Sequence, residues 1–406
     1  IMLTVKQHKD GHSVVAFVLI SILLTGFLGT SSSATPEVEY QGLDPCSSID
    51  QLSFNSTAAN ASISWQTELG PRLPGSTPSA ELRRSVIENL TDFTFEESSH
   101  QRENFTLTNL VGTYSPQNST GQNVVFVAHY DSRYIAERDD NESMRNQPID
   151  GANDGASGVA VLIELGKIIP QLNINHDVTL FFTDAEDQGM TGGFHPLTWS
   201  YGAYAWVENL TESYKQNISA YIVIDMIGDE YLDFTRVRDT SSDLWETITP
   251  IAAALGMMET ELDCDGNYGD SIYNPNQIRG VIDDHVPAHE AGIPAINFID
   301  INYGENASAF GGYWHTHNDT ADKVSAESLG YIGNLLELGL ITAAWTFSPT
   351  DIVDSNTESN LEENGLQNDD VIEQQVEKNR IVGYLSIIIV SIILILILMA
   401  DISLKL

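Results

Sequence analysis

Five short segments of this 406-residue chain place metal-binding or proton-transferring side chains where apolar runs break. They are His129-Tyr130-Asp131, Gly151-Ala152-Asn153-Asp154-Gly155-Ala156-Ser157-Gly158, Asp184-Ala185-Glu186-Asp187, Ile224-Asp225-Met226 and Tyr313-Trp314-His315-Thr316. Together they offer His129, Asp154, Asp187, Asp225 and His315 as potential ligands and leave Glu186 as a spare carboxylate. Imidazoles and carboxylates delivered from strand ends and loops suit zinc. With one acid free to move protons, the chemistry expected is hydrolysis or group transfer. Sites of this kind belong on the rim of an α/β sheet.

Each segment also has a plainer explanation. Residues two apart in a strand share a face, so Asp131 can accept from one nitrogen of His129 while the other faces a metal. A hydrogen-bonded rim histidine explains that pair equally well. Asp154 precedes an apolar helix and reads as its N-cap, but a cap does not account for Gly151, Gly155 and Gly158, which allow backbone to approach a bound group. Asp184, Glu186 and Asp187 crowd a strand end, where carboxylates repel unless a metal or proton compensates. Neighbouring residues point different ways, so one can bind metal while the next handles protons. Asp225, directly after Tyr221-Ile222-Val223-Ile224, repeats that logic. One of His315 and His317 is expected to bind metal, and Ile282-Asp283-Asp284-His285 adds two acids and a histidine. His8, His12, His100, His176, His195 and His289 have no partner pattern and read as surface or turn residues. Trp199, Tyr201, Tyr204 and Trp206 read as helix packing.

The elements that must carry these residues follow from periodicity. Val124–Ala128, Val178–Thr183, Ala220–Met226 and Ala295–Ile299 are short β-branched or aromatic runs, as expected of strands buried on both faces. Residues 158–169, 243–255 and 325–347 show helical spacing. Alternation of the two predicts an α/β domain over residues 41–348, with a central mixed, mostly parallel twisted sheet covered by helices on both faces.

The ends and the composition set the context. Lys6 and Lys9 precede an apolar run and then small residues, the pattern of a signal peptide or signal anchor over residues 1–34. Residues 349–378 read as an acidic stalk and residues 379–401 as a transmembrane helix, since about 20 apolar residues suffice to cross a bilayer. The expected arrangement is a single-pass cell-membrane protein with an extracellular catalytic domain. Ten Asn-x-Ser/Thr sequons agree with export. Cys46 and Cys264 can pair in such a compartment. The formal net charge of −39, from 57 acidic against 18 basic residues, excludes nucleic acid as a partner, because phosphates need a basic footprint. A strongly acidic surface suits a salt-rich or cation-rich exterior.

Taken in order, Ala128-His129-Tyr130-Asp131-Ser132, the Gly151–Gly158 segment, Asp184–Asp187, Ile224-Asp225-Met226-Ile227-Gly228 and Trp314-His315-Thr316 resemble metallopeptidase family 28. Val281-Ile282-Asp283-Asp284-His285-Val286-Pro287, Gly292-Ile293-Pro294 and a Trp directly before His315 make the chain most similar to the glutaminyl cyclase branch. The resemblance covers roughly residues 105 to 345. It implies a zinc exopeptidase-like fold, Asp154, Asp187 and His315 as ligands of a catalytic zinc, and Glu186 as general acid/base. It further implies Asp225 and Asp284 in a proton network around the substrate, and Trp314 as the aromatic wall of the pocket. Peptidase relatives use His129 and Asp225 for a second zinc with Asp154 bridging, so the resemblance implies one zinc or two. The family usually has Glu where this chain has Asp187. The implied reaction is conversion of N-terminal glutamine of peptides or proteins to pyroglutamate with loss of ammonia. Its alternatives are a di-zinc aminopeptidase and a non-catalytic receptor or scaffold.

Overall fold

Four of the strands are apolar at nearly every position, because both faces of the sheet they form are covered. In the computed structural model, residues 44–102, 105–190 and 198–346 are described. Their elements are α1 (Ser56–Glu68), α2 (Thr77–Asn89), β1 (Thr94–Arg102), β2 (Phe105–Tyr114), β3 (Asn123–His129), α3 (Ala156–Ile168), β4 (Asp177–Thr183) and α4 (Tyr201–Asn209). There follow α5 (Glu212–Asn217), β5 (Ile218–Asp225), β6 (Phe234–Val237), α6 (Ser242–Ala254), β7 (Tyr273–Arg279), α7 (His285–Glu290), β8 (Ala295–Ile299) and α8 (Ala326–Ile341). The main sheet has the order β1-β2-β4-β3-β5-β8. Only β2 runs against the others, so the sheet is mixed and mostly parallel, as expected. β6 and β7 pair in parallel as a separate ribbon.

Alternate residues of the central strands feed two cores. Val124, Phe126 and Ala128 of β3, with Ala220, Ile222 and Ile224 of β5, pack in one core with α3, α8 and α1. Val125, Val127, Tyr221 and Val223 face Ala203, Trp206 and Val207 of α4 and Ala288 of α7 on the other side. Helix α3 is buried on every side from Ala156 to Gly166. It lies so close to the sheet that a Cβ on Gly158 would stand 2.5 Å from the Ile224 carbonyl oxygen. β3 sits between β4 and β5, and the chain leaves it through α3 to one side and later returns to the other. That reversal opens a crevice at the carboxyl ends of the strands, where α/β sheets bind ligands.

Two regions depart from expectation, and one pairing left open is present. The periodicity shows no strand at the β1–β2 hairpin: apart from Phe95, Thr94–Arg102 is polar, and it is partly exposed throughout, because it is an edge strand held by backbone pairing to β2. The last helix ends at Ile341 rather than 347, where Ala343 turns left-handed with φ 55°. Cys46 and Cys264 are joined as a disulfide, with Cα atoms 5.4 Å apart, which ties the N-terminal 3₁₀ turns to the loop after α6. Among the described residues no helix is long and apolar enough to cross a membrane. The expected signal, stalk and transmembrane segments (residues 1–34, 349–378 and 379–401) lie outside the described residues.

Candidate active site and metal centre

The ends of β3, β4 and β5 and the loops before α3 and around His315 converge in the crevice. Asp154 stands between two imidazoles and gives one oxygen to each. Its Oδ1 lies 3.3 Å from His129 Nε2 and its Oδ2 3.6 Å from His315 Nε2. His129 Nε2 also meets Asp225 Oδ1 at 3.0 Å, and His315 Nε2 meets Asp187 Oδ1 at 3.1 Å. Two candidate metal groups result, His129–Asp154–Asp225 and Asp154–Asp187–His315, each with its ligand atoms within 4.8 Å of one another. All five residues are buried.

The donor set fits a divalent cation. Asp154 Oδ2 and Asp187 Oδ2 are buried and have no hydrogen-bond partner, an arrangement that costs free energy unless a cation or proton satisfies it. Carboxylate and imidazole ligands with buried, uncompensated negative charge suit zinc.

Backbone strain and buried carboxylates hold this arrangement. Ala185 (φ 59°), Met226 (φ 49°) and His315 (φ 55°) all adopt left-handed conformations, which for such residues cost about 1–3 kcal/mol each and cluster at functional sites. The turn at Ala185 aims two backbone N–H groups at Asp131, whose Oδ1 accepts from Glu186 at 3.0 Å and Oδ2 from Asp187 at 3.1 Å. Asp131 was expected to grip His129; its Oδ1 is 3.5 Å from His129 Nδ1, and its short contacts go to the β4 loop. Asp319 does the same for the loop before α3, accepting from Asn153 N and Asp154 N at 2.8 and 3.2 Å. Asp154 is not a helix cap, since Gly155 occupies that position. With φ 95° and a Cβ that would fall 2.7 Å from the Asp131 carbonyl oxygen, Gly155 is the residue the turn requires. The closest crowding at Gly155 is with the protein's own backbone.

The electrostatics follow from burial and crowding. Burial, with Asp283 and Asp284 nearby, pushes Glu186 well above the usual carboxyl range. Burial and then Asp283 do the same to Asp284. Burial lifts Asp225 to about 7 and Asp187 to about 6. The histidines are also raised, for a different reason. Burial opposes their charge, but Asp225 and its neighbours hold His129 well above its ordinary value, and Asp187, Glu137 and Asp154 raise His315 to about 9. Asp154 is held low despite burial by His129 and His315. Metal-free, the cluster stores protons that a cation would displace.

Residues 109–338 match the pattern of Peptidase family M28. The chain belongs to this family. Aminopeptidase YwaD of Bacillus subtilis (strain 168) is 25% identical over 247 residues, which cover 59% of this M28 chain and 45% of that protein. Glutaminyl-peptide cyclotransferase of Bos taurus is 21% identical over 358 residues, 79% of this chain and 93% of that one. The chain thus spans under half of the first relative and nearly all of the second. Among solved structures, the glutaminyl cyclase of Tannerella forsythia is similar with a TM-score of 0.60 and 26% identity, over 71% of this chain and 99% of that one. The chain's relatives thus include both an aminopeptidase and a glutaminyl-peptide cyclotransferase, and its mixed-sheet α/β fold is shared with a solved Zn-dependent exopeptidase of Parabacteroides distasonis, with a TM-score of 0.60 and 26% identity.

Several residues of the M28 domain sit differently from their sequence reading. Asp184, expected beside Glu186, accepts instead from Thr108 N at 2.7 Å; the acids acting on Glu186 are Asp283, Asp284 and Asp187. Asp284 accepts from the Thr183 hydroxyl, and Asp283 from Asn297 Nδ2 at 2.7 Å. His317 does not reach the ligands but pairs with Asp139 at 2.9 Å. His176 is buried rather than exposed, and burial lowers its pKa. Trp199, read as helix packing, lies beside the site. Its ring is 6.4 Å from that of His315, and Trp314 stacks on His315 at 3.6 Å. Glu137, Arg133 and Asp319 carried no sequence signal beyond being charged residues near the ligand segments.

Proposed function

We propose that the chain is a zinc-dependent glutaminyl-peptide cyclotransferase that converts N-terminal glutamine of peptides to pyroglutamate with release of ammonia. The observation that carries this reading is the alignment with nearly the whole bovine cyclotransferase, 93% of its length. Asp154, Asp187 and His315 would hold the metal. Zinc, when bound, supplies Lewis acidity that polarises the side-chain amide carbonyl. The α-amine forms a bond to that carbonyl carbon, the bond to the amide nitrogen breaks, and one proton passes from the amine to the departing ammonia. Glu186, buried among Asp283 and Asp284, is suited to carry that proton, since a group that both takes and returns it needs a raised pKa. Asp225 and Asp284 complete the proton network. Trp314, half-buried over His315, walls the pocket and orients a substrate whose attack is intramolecular. The disulfide supports a location outside the reducing cytosol, in line with the proposed extracellular, membrane-anchored domain.

A second reading, a di-zinc aminopeptidase, is favoured by the complete His129–Asp154–Asp225 group. Mass spectrometry separates the two. A Gln-initiated and a Leu-initiated peptide are incubated with the zinc-loaded protein and with Glu186→Gln. Loss of ammonia from the first peptide alone, abolished by the variant, is the expected result. Release of the first residue from either peptide makes the protein an aminopeptidase and ends the cyclase reading.

A further inference from the structure

The segment between β3 and α3 grips the His315 loop at every step. Glu137 Oε1 accepts from His315 Nδ1 at 2.8 Å, Arg138 N donates to the His315 carbonyl at 3.2 Å, and Asp139 accepts from His317 N at 3.0 Å. Glu137 is itself held by Arg133, which donates from Nε to Oε2 at 3.3 Å and from Nη2 to Oε1 at 3.0 Å. That two-pronged geometry is the strongest form of an Arg–carboxylate contact. The guanidinium is fully buried, with Trp199 4.8 Å and Tyr134 5.0 Å from it. Its third prong, Nη1, donates to the Asp187 carbonyl at 2.8 Å and lies 3.5 Å from Asp187 Oδ1. His315, Glu137, Arg133 and Asp187 thus form a closed chain linking two of the three proposed zinc ligands.

We propose that Glu137 is the positioning residue of this metal centre. It accepts a hydrogen bond from Nδ1–H of His315, which keeps the proton there and leaves Nε2 to face Asp154 and Asp187. Through Arg133 it fixes Asp187, whose arm is one methylene shorter than a glutamate's. The inference rests on the zinc-dependent reading above, and its test reads metal affinity as well as activity.

Zinc affinity of the full chain is measured by chelator competition for wild type, Glu137→Gln, Glu137→Ala, Arg133→Lys and Asp139→Asn, alongside metal-free melting. Partners that orient a metal-bound histidine typically contribute 10- to 100-fold to affinity. Both Glu137 variants are expected to lose zinc affinity in that range, and Arg133→Lys a smaller amount. Asp139→Asn, which loosens the same loop at His317, should stay within about threefold of wild type. Wild-type affinity in Glu137→Gln and Glu137→Ala overturns the proposal, as does an equal loss in Asp139→Asn, which would assign the effect to general loop order. If wild type binds no zinc that His315→Ala removes, this proposal and the zinc-dependent function fall together. Weakened zinc binding in the Glu137 variants without turnover of a Gln peptide by wild type sinks only the cyclase assignment.

Discussion

Asp154 offers one oxygen to each of two histidines, so the number of metal ions depends on what stands beyond them. On the cyclase reading one zinc per chain is expected, bound by Asp154, Asp187 and His315, while His129 remains hydrogen-bonded to Asp225. His129→Gln should then leave zinc stoichiometry unchanged by elemental analysis. A fall from two ions to one would identify a second metal on His129 and favour the aminopeptidase. His129, Asp187 and Asp225 were legible as candidates because each stands at the end of an apolar strand run, and Asp154 and His315 because each stands in a break between such runs. Asp184 was misjudged because residues alternate faces at a strand end, and this one turns back toward β2. Glu137, Arg133 and Asp319 could not be read, since they act on residues 178, 54 and 166 positions away in the chain. Only the folded loops bring them there.

The elements that carry the ligands were read correctly for the buried strands and poorly for the polar ones. A strand covered on both faces, like β3 or β5, shows itself as an unbroken apolar run. An edge strand such as β1 owes its form to backbone pairing, which leaves no trace in residue type. Helix α3 packs closely on β5 beneath the site. Any side chain at Gly158 would press on the Ile224 carbonyl and on the Ala128 Cβ, which lie 2.5 and 2.9 Å from the position of an added Cβ. Gly158→Ala would normally gain about 1 kcal/mol of helix propensity. Here overpacking should dominate, with a net loss on the order of 1–3 kcal/mol in urea unfolding. Because Asp225 follows Ile224, metal affinity should fall with it. Stability equal to or above wild type would show that the helix can shift away from the sheet without cost. The link between Cys46 and Cys264 works at the same scale but on the unfolded chain. It closes a loop of 218 residues, and the Cys264→Ser variant should lose about 2–5 kcal/mol, measured by the same unfolding.

Across the whole molecule, charge governs how stability depends on solvent. With a formal net charge of −39, self-repulsion destabilises the compact state, and salt screens it within about 10 Å at 0.1 M and about 3 Å at 1 M. Melting temperature should therefore rise between 0.1 and 1 M sodium chloride; a flat response would mean that the acidic surface is spaced widely enough not to matter. The buried cluster adds a dependence on pH with a definite sign. Asp187 titrates at about 6 and Asp225, Asp184, Asp300 and Asp319 at about 7 in the folded protein, against an ordinary 3.8. A carboxylate with a raised folded pKa costs nothing below its ordinary value and destabilises increasingly as pH climbs from there to the folded value. His315, raised to about 9 from 6.5, contributes stability that is whole below 6.5 and gone above 9. Both effects run the same way, so the metal-free protein should lose melting temperature steadily from pH 5 to pH 8. Zinc reverses the balance, because it takes the place of those protons and binds the deprotonated ligands more tightly as pH rises. The gap in melting temperature between zinc-loaded and chelator-treated protein should widen from pH 5.5 to 7.5, measured at constant ionic strength. A gap that is constant or narrows over that range would mean that zinc does not displace protons from this cluster, and the assignment of Asp187 and His315 as its ligands would fall.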